Sequence, residues 1–381
     1  MSLKKLIKCM LSPIVYALTY LEIPFRHYRI NISRKEAVTV ITEIMPRHKF
    51  SITTHNDLLT PPPQYDLMVI VPVYNVAPYL TACIESMLTQ RTTYTYHIVI
   101  VDDGSTDESS SILQHYETND SITIISKENG GLSSARNAAL RYICGKYIMF
   151  VDSDDIVAPN AFETMLSTAY RWDADAVEGS VEVFNGNDTV QVQQRKQSTN
   201  ANDTTHNLRG EAWAKLYRGS LFEDIQFPEG YLFEDSILTY CIHPRIKHAY
   251  TVSDVVYRYR LNPHGITFTS KKRPKALDTI WITDYLFPYY MEHYPSISKT
   301  EKLTALIYQI IFNYKRTENM EPNVKQAIFA MSCWWFHQYF NRQDADVAFT
   351  CWKYKMLCLS LETHDYGLYR LLCSRWSFLN N

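Results

Sequence analysis

Three aspartates, Asp152, Asp154 and Asp155, stand within four positions directly after the apolar run YIMFV. Carboxylates this close raise one another's pKa unless a cation sits among them. A hard divalent ion with oxygen ligands, Mg2+ or Mn2+, answers that need, and such an ion usually bridges to substrate phosphates. A plainer reading is a solvated turn capping the helix that opens near Pro159. An EF-hand loop is a poor alternative: Glu163 falls at its closing position, but Ile156 and Val157 stand where a ligand and a glycine belong. A second acidic cluster, DDGSTD over Asp102–Asp107, follows the run HIVIV. Ser105 and Glu108 are spaced as a capping box, which leaves Asp102 and Asp103 without a local task. A carboxylate at a strand end can accept from a ribose hydroxyl or a base N–H.

The elements that must carry these clusters are legible from periodicity. LMVIVPV (67–73) is a continuous apolar strand, as expected where both sheet faces are covered. Pro78 suits a helix's first turn, and Leu80, Cys83, Ile84, Met87 and Leu88 repeat at helical spacing. HIVIVD (97–102), SITIIS (121–126) and KYIMFVD (146–152) predict three more strands. Helical faces lie between and after them, at Leu132–Ile143 and at Phe162–Tyr170. Alternation of this kind implies right-handed crossovers and a mainly parallel sheet, with ligands at the carboxyl ends of its strands. Both acidic clusters stand at such ends. After Phe184 the polar stretch NGNDTVQVQQRKQSTNANDTTHN predicts a loop, and its N-x-T triplets at Asn187 and Asn202 are read as chance.

Length and composition bound the rest. The chain has 381 residues, 46% hydrophobic, with 38 basic against 40 acidic side chains and a net charge of -2, so nothing pulls it as a whole toward nucleic acid. Its 11 glycines compare with about 27 at average usage. Eight cysteines show neither CxxC spacing nor zinc-ligand partners, and the usage fits a reducing, cytosolic compartment. The phosphate-binding, dinucleotide, nucleophile-elbow and zinc-protease motifs are all missing.

Both ends differ in character from the middle. Up to Lys49 there are nine basic residues against Glu22, Glu36 and Glu43, around the mostly apolar stretch CMLSPIVYALTYL. That stretch holds 13 residues, where a bilayer span needs about 20. No A-x-A-like cleavage site follows it. Two readings stay open: a segment lying in a membrane interface, with peripheral contact through residues 1–50, and a helix packed on the protein. TPPP at Thr60–Pro63 marks a linker. Beyond residue 271 the pattern is helical. Ser298 and Glu301 form a capping box ahead of Leu303, Leu306, Ile307, Ile310 and Ile311, and Trp334, Trp335, Trp352 and Trp376 enrich the region. The expected domains are therefore an extension over 1–64, an α/β domain over 65–270 and a helical region over 271–381.

Six motifs in order, IVPVYNVAPYL, VIVDDGSTD, ENGGLSSARNAAL, GKYIMFVDSDD, AWAKLYR and FPEGYLFED, resemble the family 2 glycosyltransferases with the GT-A fold. The resemblance covers Tyr65 to Thr267 and neither end. It implies a mainly parallel sheet flanked by helices with a Rossmann-like nucleotide-binding half. It implies that Pro72, Tyr74 and Asp103 lie against the base of a nucleotide-sugar, and that Asn129, Gly131 and Arg136 border its ribose and diphosphate. Asp152 and Asp154 match the D-x-D pair, with Asp154 the foremost Mn2+ or Mg2+ ligand and Asp155 beside it. Glu234 and Asp235 match the ED pair whose aspartate is the catalytic base. Lys215 joins the donor side, and Trp213 the floor between donor and acceptor. The implied activity is inverting transfer of a sugar, from a UDP-sugar by analogy, to a glycan or lipid-linked glycan at the cytoplasmic face of a bacterial inner membrane. A non-catalytic nucleotide-sugar-binding module and a sugar nucleotidyltransferase are the rival readings. One departure stands out: Asn262, His264 and Gly265 occupy places where relatives carry a basic residue and Gly-Ser, with Arg258, Arg260 or His264 as substitutes.

Overall fold

The computed structural model describes residues 28–52, 63–198, 208–269 and 273–375. They fall into two compact units: residues 45–301, and a helical unit of residues up to 44 with those from 302 onward. The apolar N-terminal stretch, Cys9, Asn202, Trp376 and most of TPPP lie outside the described residues.

The first unit is built on one sheet, ordered β3-β2-β1-β4-β8-β6-β9-β5, with β7 also on β6. The strands are β1 (Tyr65–Val73), β2 (Tyr96–Asp102), β3 (Ile122–Ser126), β4 (Gly145–Phe150), β5 (Ile156–Val157), β6 (Ala176–Asn185), β7 (Asp188–Gln193), β8 (Lys215–Arg218) and β9 (Ala249–Arg260). β1 runs parallel to both β2 and β4, and β2 parallel to β3, with Val73 opposite Asp102. The carboxyl ends of these four strands therefore share one edge. Beyond β4 the direction mixes: β8 is antiparallel to β4 and β6, while β6 and β9 are parallel.

Helices cover the sheet because its strands are apolar on both faces. They are α2 (Ala77–Leu88), α3 (Ser109–Gln114), α4 (Leu132–Leu140), α5 (Ala161–Trp172) and α6 (Asp278–His293), following α1 (Arg34–Ile44) of the other unit. Pro78 stands in the first turn of α2, and Leu80, Cys83, Ile84 and Met87 join one core with Phe162, Met165 and Leu166 of α5. Each such side chain contributes about 1.5–3 kcal/mol of apolar burial.

Three expectations change. Ser105 and Glu108 do not form a capping box: α3 starts at Ser109, where Asp107 Oδ1 accepts from Ser109 N at 2.9 Å. Ser105 Oγ instead accepts from Asn75 N across the adjoining loop. The polar stretch after Phe184 is not all loop, since Asp188–Gln193 pairs with β6 as a solvent-facing hairpin strand. The unit boundaries also move, because residues 45–52 and α6 belong with the sheet. Phe50 packs 5.0 Å from Tyr231 and 4.4 Å from Tyr285, and Trp281 Nε1 donates to Met45 O.

The helical unit holds α1 with α7 (Lys299–Arg316, most of its length), α8 (Pro322–Tyr339), α9 (Arg342–Ala348), α10 (Trp352–Glu362) and α11 (Tyr366–Ser374). Phe329, Met331, Trp335 and Phe336 of α8 are buried, and Arg34 of α1 lies over Trp334 at 4.1 Å. The Ser298–Glu301 box forms at the start of α7. No helix among the described residues is long and apolar enough to cross a membrane.

Candidate active site

The loops at the carboxyl edge are stitched to one another by short polar contacts. Asp102 is consumed locally: its Oδ1 accepts from Ser105 N and its Oδ2 from Ser110 Oγ. Asp103 is buried and reaches the neighbouring loop, accepting from Lys127 Nζ (2.6 Å), Gly130 N (3.0 Å) and Gly131 N (2.7 Å). Gly104 permits that approach, with φ +74 and a would-be Cβ only 2.9 Å from Asn129 N. Pro72 is buried in β1, whereas Tyr74 just past the strand end is 51% exposed. Asn75 holds φ 50 and turns its Oδ1 to Thr106 N at 2.7 Å. Asn129 and Gly131 are exposed on the same rim.

Arg136 of α4 is 1% exposed and sits under the acidic residues. Its Nη1 donates to Glu234 Oε1 (2.7 Å) and Asp235 Oδ1 (2.9 Å), and its Nη2 to Asp152 Oδ1 (3.1 Å). Arg136, expected beside a diphosphate, is a buried organiser of carboxylates in this structure. Against the cost of burial, Asp235, Glu234 and Asp152 hold its guanidinium firmly charged. Burial, with Asp235 beside it and Arg136 opposing, pushes the Glu234 carboxyl up to about 7. Burial likewise raises Asp152 to about 6, Arg136 opposing and Asp154 adding to the rise. Asp235 keeps a third of its side chain exposed, 33%, so one face of the carboxylate stays open. Two features aim this pair: Phe233 at φ 65, and Asp278 at the head of α6, whose Oδ2 accepts from Leu232 N at 2.8 Å.

The 152–155 turn is held by β9. Asp155 points inward and accepts from Tyr257 Oη (2.8 Å) and Arg260 N (2.6 Å); burial and its two acidic neighbours raise its pKa strongly. Tyr257 Oη in turn accepts from Asp152 N at 3.0 Å. Asp154 Oδ2 accepts from Asn262 Nδ2 at 2.9 Å, and Arg260 Nε donates to the Asp154 carbonyl. Glu163 is turned away to Thr92 and Thr93. Trp213 stacks on Tyr257, ring centroids 5.2 Å apart and 8° from parallel, and on Tyr259. Among the described residues no three His, Cys, Asp or Glu side chains group as a metal cage. A divalent ion would instead take one or two chain carboxylates and complete its shell from phosphate and water. The donor chemistry fits: Asp152, Asp154, Asp155, Glu234 and Asp235 outnumber the cations among them.

Lys215, expected on the donor side, is fully buried, its Nζ donating to the carbonyls of Glu211 (2.7 Å) and Trp213 (3.4 Å) and lying 3.7 Å from Glu178. The structure adds residues that the motifs do not single out: Tyr257, Asn262 and Asp278. Asn262 stands at the departure from the relatives' basic residue that the sequence already marks. Tyr257 and Asp278 carry no local signal. Arg258 pairs with Glu182, and His264 is exposed.

Residues 68–226 match the family described as Glycosyl transferase family 2. Glycosyltransferase GlyA of Streptococcus pneumoniae serotype 4 (strain TIGR4) is 34% identical over 220 residues, covering 53% of this chain and 31% of GlyA. EpsJ of Bacillus subtilis (strain 168), an uncharacterized glycosyltransferase, is 33% identical over 52% of this chain and 62% of its own. The chain thus spans less than two thirds of these relatives. The crystal structure of S. aureus TarS residues 1–349, in complex with UDP-GlcNAc, superposes with a TM-score of 0.63 at 20% identity, over 82% of this chain and 92% of that one. The likeness extends the fold match past the matched domain. Over residues 68–226, then, the sheet unit matches the family 2 glycosyltransferases in sequence, and its fold is that of the TarS structure.

Proposed function

We propose that the protein is an inverting, metal-dependent glycosyltransferase that moves a sugar from a UDP-sugar to a hydroxyl of a glycan or lipid-linked glycan in bacterial surface polysaccharide synthesis. The observation that carries this reading is the seating of one buried guanidinium, Arg136, under Asp152, Glu234 and Asp235. It joins the metal-side and base-side carboxylates in one site at the sheet's carboxyl edge. UDP as the donor nucleotide follows TarS, whose structure holds UDP-GlcNAc.

The base stacks on exposed Tyr74, beside the loop that Asp103 pins. Asp154, with Asp152, would hold Mn2+ or Mg2+, which supplies positive charge to the departing diphosphate. Asp235 takes the proton of the acceptor hydroxyl as that oxygen attacks the anomeric carbon. The bond from that carbon to the diphosphate oxygen breaks as the new one forms, and the configuration inverts. Arg136 donates to Glu234, Asp235 and Asp152 together, and so counters all three carboxyls at once. A module that only binds nucleotide-sugar has no use for an oriented, partly open carboxylate at Asp235.

The test is a thermal-shift panel of UDP, GDP, CDP and dTDP with and without Mn2+, alongside UDP release from UDP-GlcNAc. A ligand at 100 times its Kd adds about 2.7 kcal/mol. A shift with UDP that requires Mn2+ and is lost in Asp154→Ala is expected. A different winning nucleotide, or equal shifts without metal, would overturn the donor or the metal. Peripheral membrane contact belongs to the same proposal. Because residues 45–52 pack in the sheet unit, the deletion that tests it stops at residue 27. Transfer of the protein from the membrane to the soluble fraction is expected, and unchanged fractionation refutes the contact.

A further inference from the structure

Away from the acidic site, β6 and β8 bring a buried charge cluster together. Glu178 and Lys215 stand opposite each other in the antiparallel register and are both fully buried. Arg195 Nη2 donates to Glu178 Oε2 at 2.6 Å, and Arg209 Nε to Glu178 Oε1. Arg209 also reaches Gly179 O (2.8 Å) and Gln193 Oε1 (2.7 Å). One carboxylate thus gathers three cations, with Glu211 adding its field from the side. A buried cluster of this kind is a poor device for stability, since apolar replacements often stabilise as well or better.

What the cluster touches is informative. The Lys215 ammonium donates to the carbonyls of Glu211 and Trp213, and so ties down both ends of the 211–213 turn. Between Trp213 and Lys215, buried Ala214 is held at φ 57, a left-handed conformation costly for a residue with a Cβ. Gly179 N donates to Ala214 O at 3.2 Å from the strand that carries Glu178. The turn so fixed presents the Trp213 ring, 8% exposed, against Tyr257, whose hydroxyl bonds Asp155 and the Asp152 backbone.

We infer that Glu178 is a positioning residue: through Lys215, and through Arg209 on the Gly179 peptide that bonds Ala214, it holds the strained Trp213–Ala214 turn, and so fixes the aromatic wall on which the 152–155 carboxylates rest. Its effect on turnover rests on the glycosyl-transfer reading; its effect on Trp213 does not.

The experiment therefore has two arms, run on the full chain below its unfolding transition. The first is acrylamide quenching of Trp213 fluorescence, isolated as the difference between each variant and the same variant carrying Trp213→Phe. Glu178→Gln is expected to expose the ring and raise its quenching severalfold, with Glu178→Asp recovering most of the protection. Arg209→Gln, which leaves Glu178 paired with Arg195 and Lys215, gives an intermediate value and serves if Glu178→Gln does not fold. The second arm is UDP release from UDP-GlcNAc with Mn2+. Here kcat should fall about 10- to 100-fold while UDP affinity is unchanged. A purely structural role would lower the thermal midpoint yet leave quenching and kcat as in wild type, and that result overturns the inference. If wild type releases no UDP from any UDP-sugar, the glycosyl-transfer reading fails, and the quenching arm alone decides the positioning role.

Discussion

A guanidinium that meets three carboxylates from two parts of the chain must be both neutralised and shared. Arg136 does this with only Nη1 and Nη2, so its planar fork matters as much as its charge. Arg136→Met would strand Glu234 as a buried, unpaired acid and leave half-buried Asp152 without its cation, a loss of about 3–5 kcal/mol that denaturant unfolding would read. Arg136→Lys keeps the charge but not the fork, and turnover should fall much further than stability. Asp235→Asn is expected to cut transfer about 10²- to 10⁴-fold with UDP affinity retained; a rate near wild type would remove Asp235 as the base. Every partner of Arg136 was visible in the sequence as a motif residue. The pairing was not, because its ends lie 98 and 99 positions apart and no local pattern reports on contacts of that range. The burial of Lys215 is hidden for the same reason: its partner Glu178 sits on another strand.

At the scale of elements, the site depends on how closely two loops approach. The β2–α3 loop crosses the 127–131 loop at Gly104, where any Cβ would press on Asn129 N at 2.9 Å and the backbone already holds φ +74. Gly104→Ala should therefore push the 127–131 loop off Asp103, at a cost of about 1–3 kcal/mol. UDP affinity should drop with it, which calorimetry can check; unchanged affinity would detach this loop from the donor. Tyr257→Phe makes the complementary test on β9. It keeps the stack on Trp213 but removes one of two donors to buried Asp155, a loss of about 1–3 kcal/mol in thermal unfolding. The strands that form this edge were legible because a sheet covered on both faces demands unbroken apolar runs, as β1, β2 and β4 show. β7 escaped because an edge strand facing solvent needs no such run: DTVQVQ is exposed along nearly its whole length. The start of α3 was misplaced because Ser105 had a competing partner on the neighbouring loop.

Taken over the whole molecule, the buried acids set how stability should follow pH. Glu234 is raised to about 7, Asp152 and Asp278 to about 6, and Asp155 well above the usual range, burial leading in each case. Folded protein therefore binds protons at these four carboxyls that the unfolded chain, titrating near 4, does not bind between about pH 4.5 and 7. Their contribution is fully present below the unfolded pKa and is lost as pH rises through the folded values. His243 works the other way: burial first, then Lys215, depresses it to about 3, so its contribution is present above pH 6.5 and fades on acidification. Burial lowers His97 and His364 as well, so four carboxyls stand against three imidazoles and the native state keeps the larger proton count. Each net proton is worth about 1.4 kcal/mol per pH unit. The thermal midpoint of the metal-free protein should thus climb as pH falls from 8 to about 5. Below about 4.5 it should drop, because Glu178, held at about 2 chiefly by Lys215, Arg209 and Arg195 against its burial, then loses its advantage. Mn2+ with UDP should flatten the upper limb by letting Asp152 stay ionised in the fold. Differential scanning across pH 4 to 8, with and without Mn2+ and UDP, reads this directly. A midpoint that instead rises steadily from pH 5 to 8 would mean that these four carboxyls are solvated or paired in the free protein. The electrostatic reason for a cation at Asp154 would then disappear.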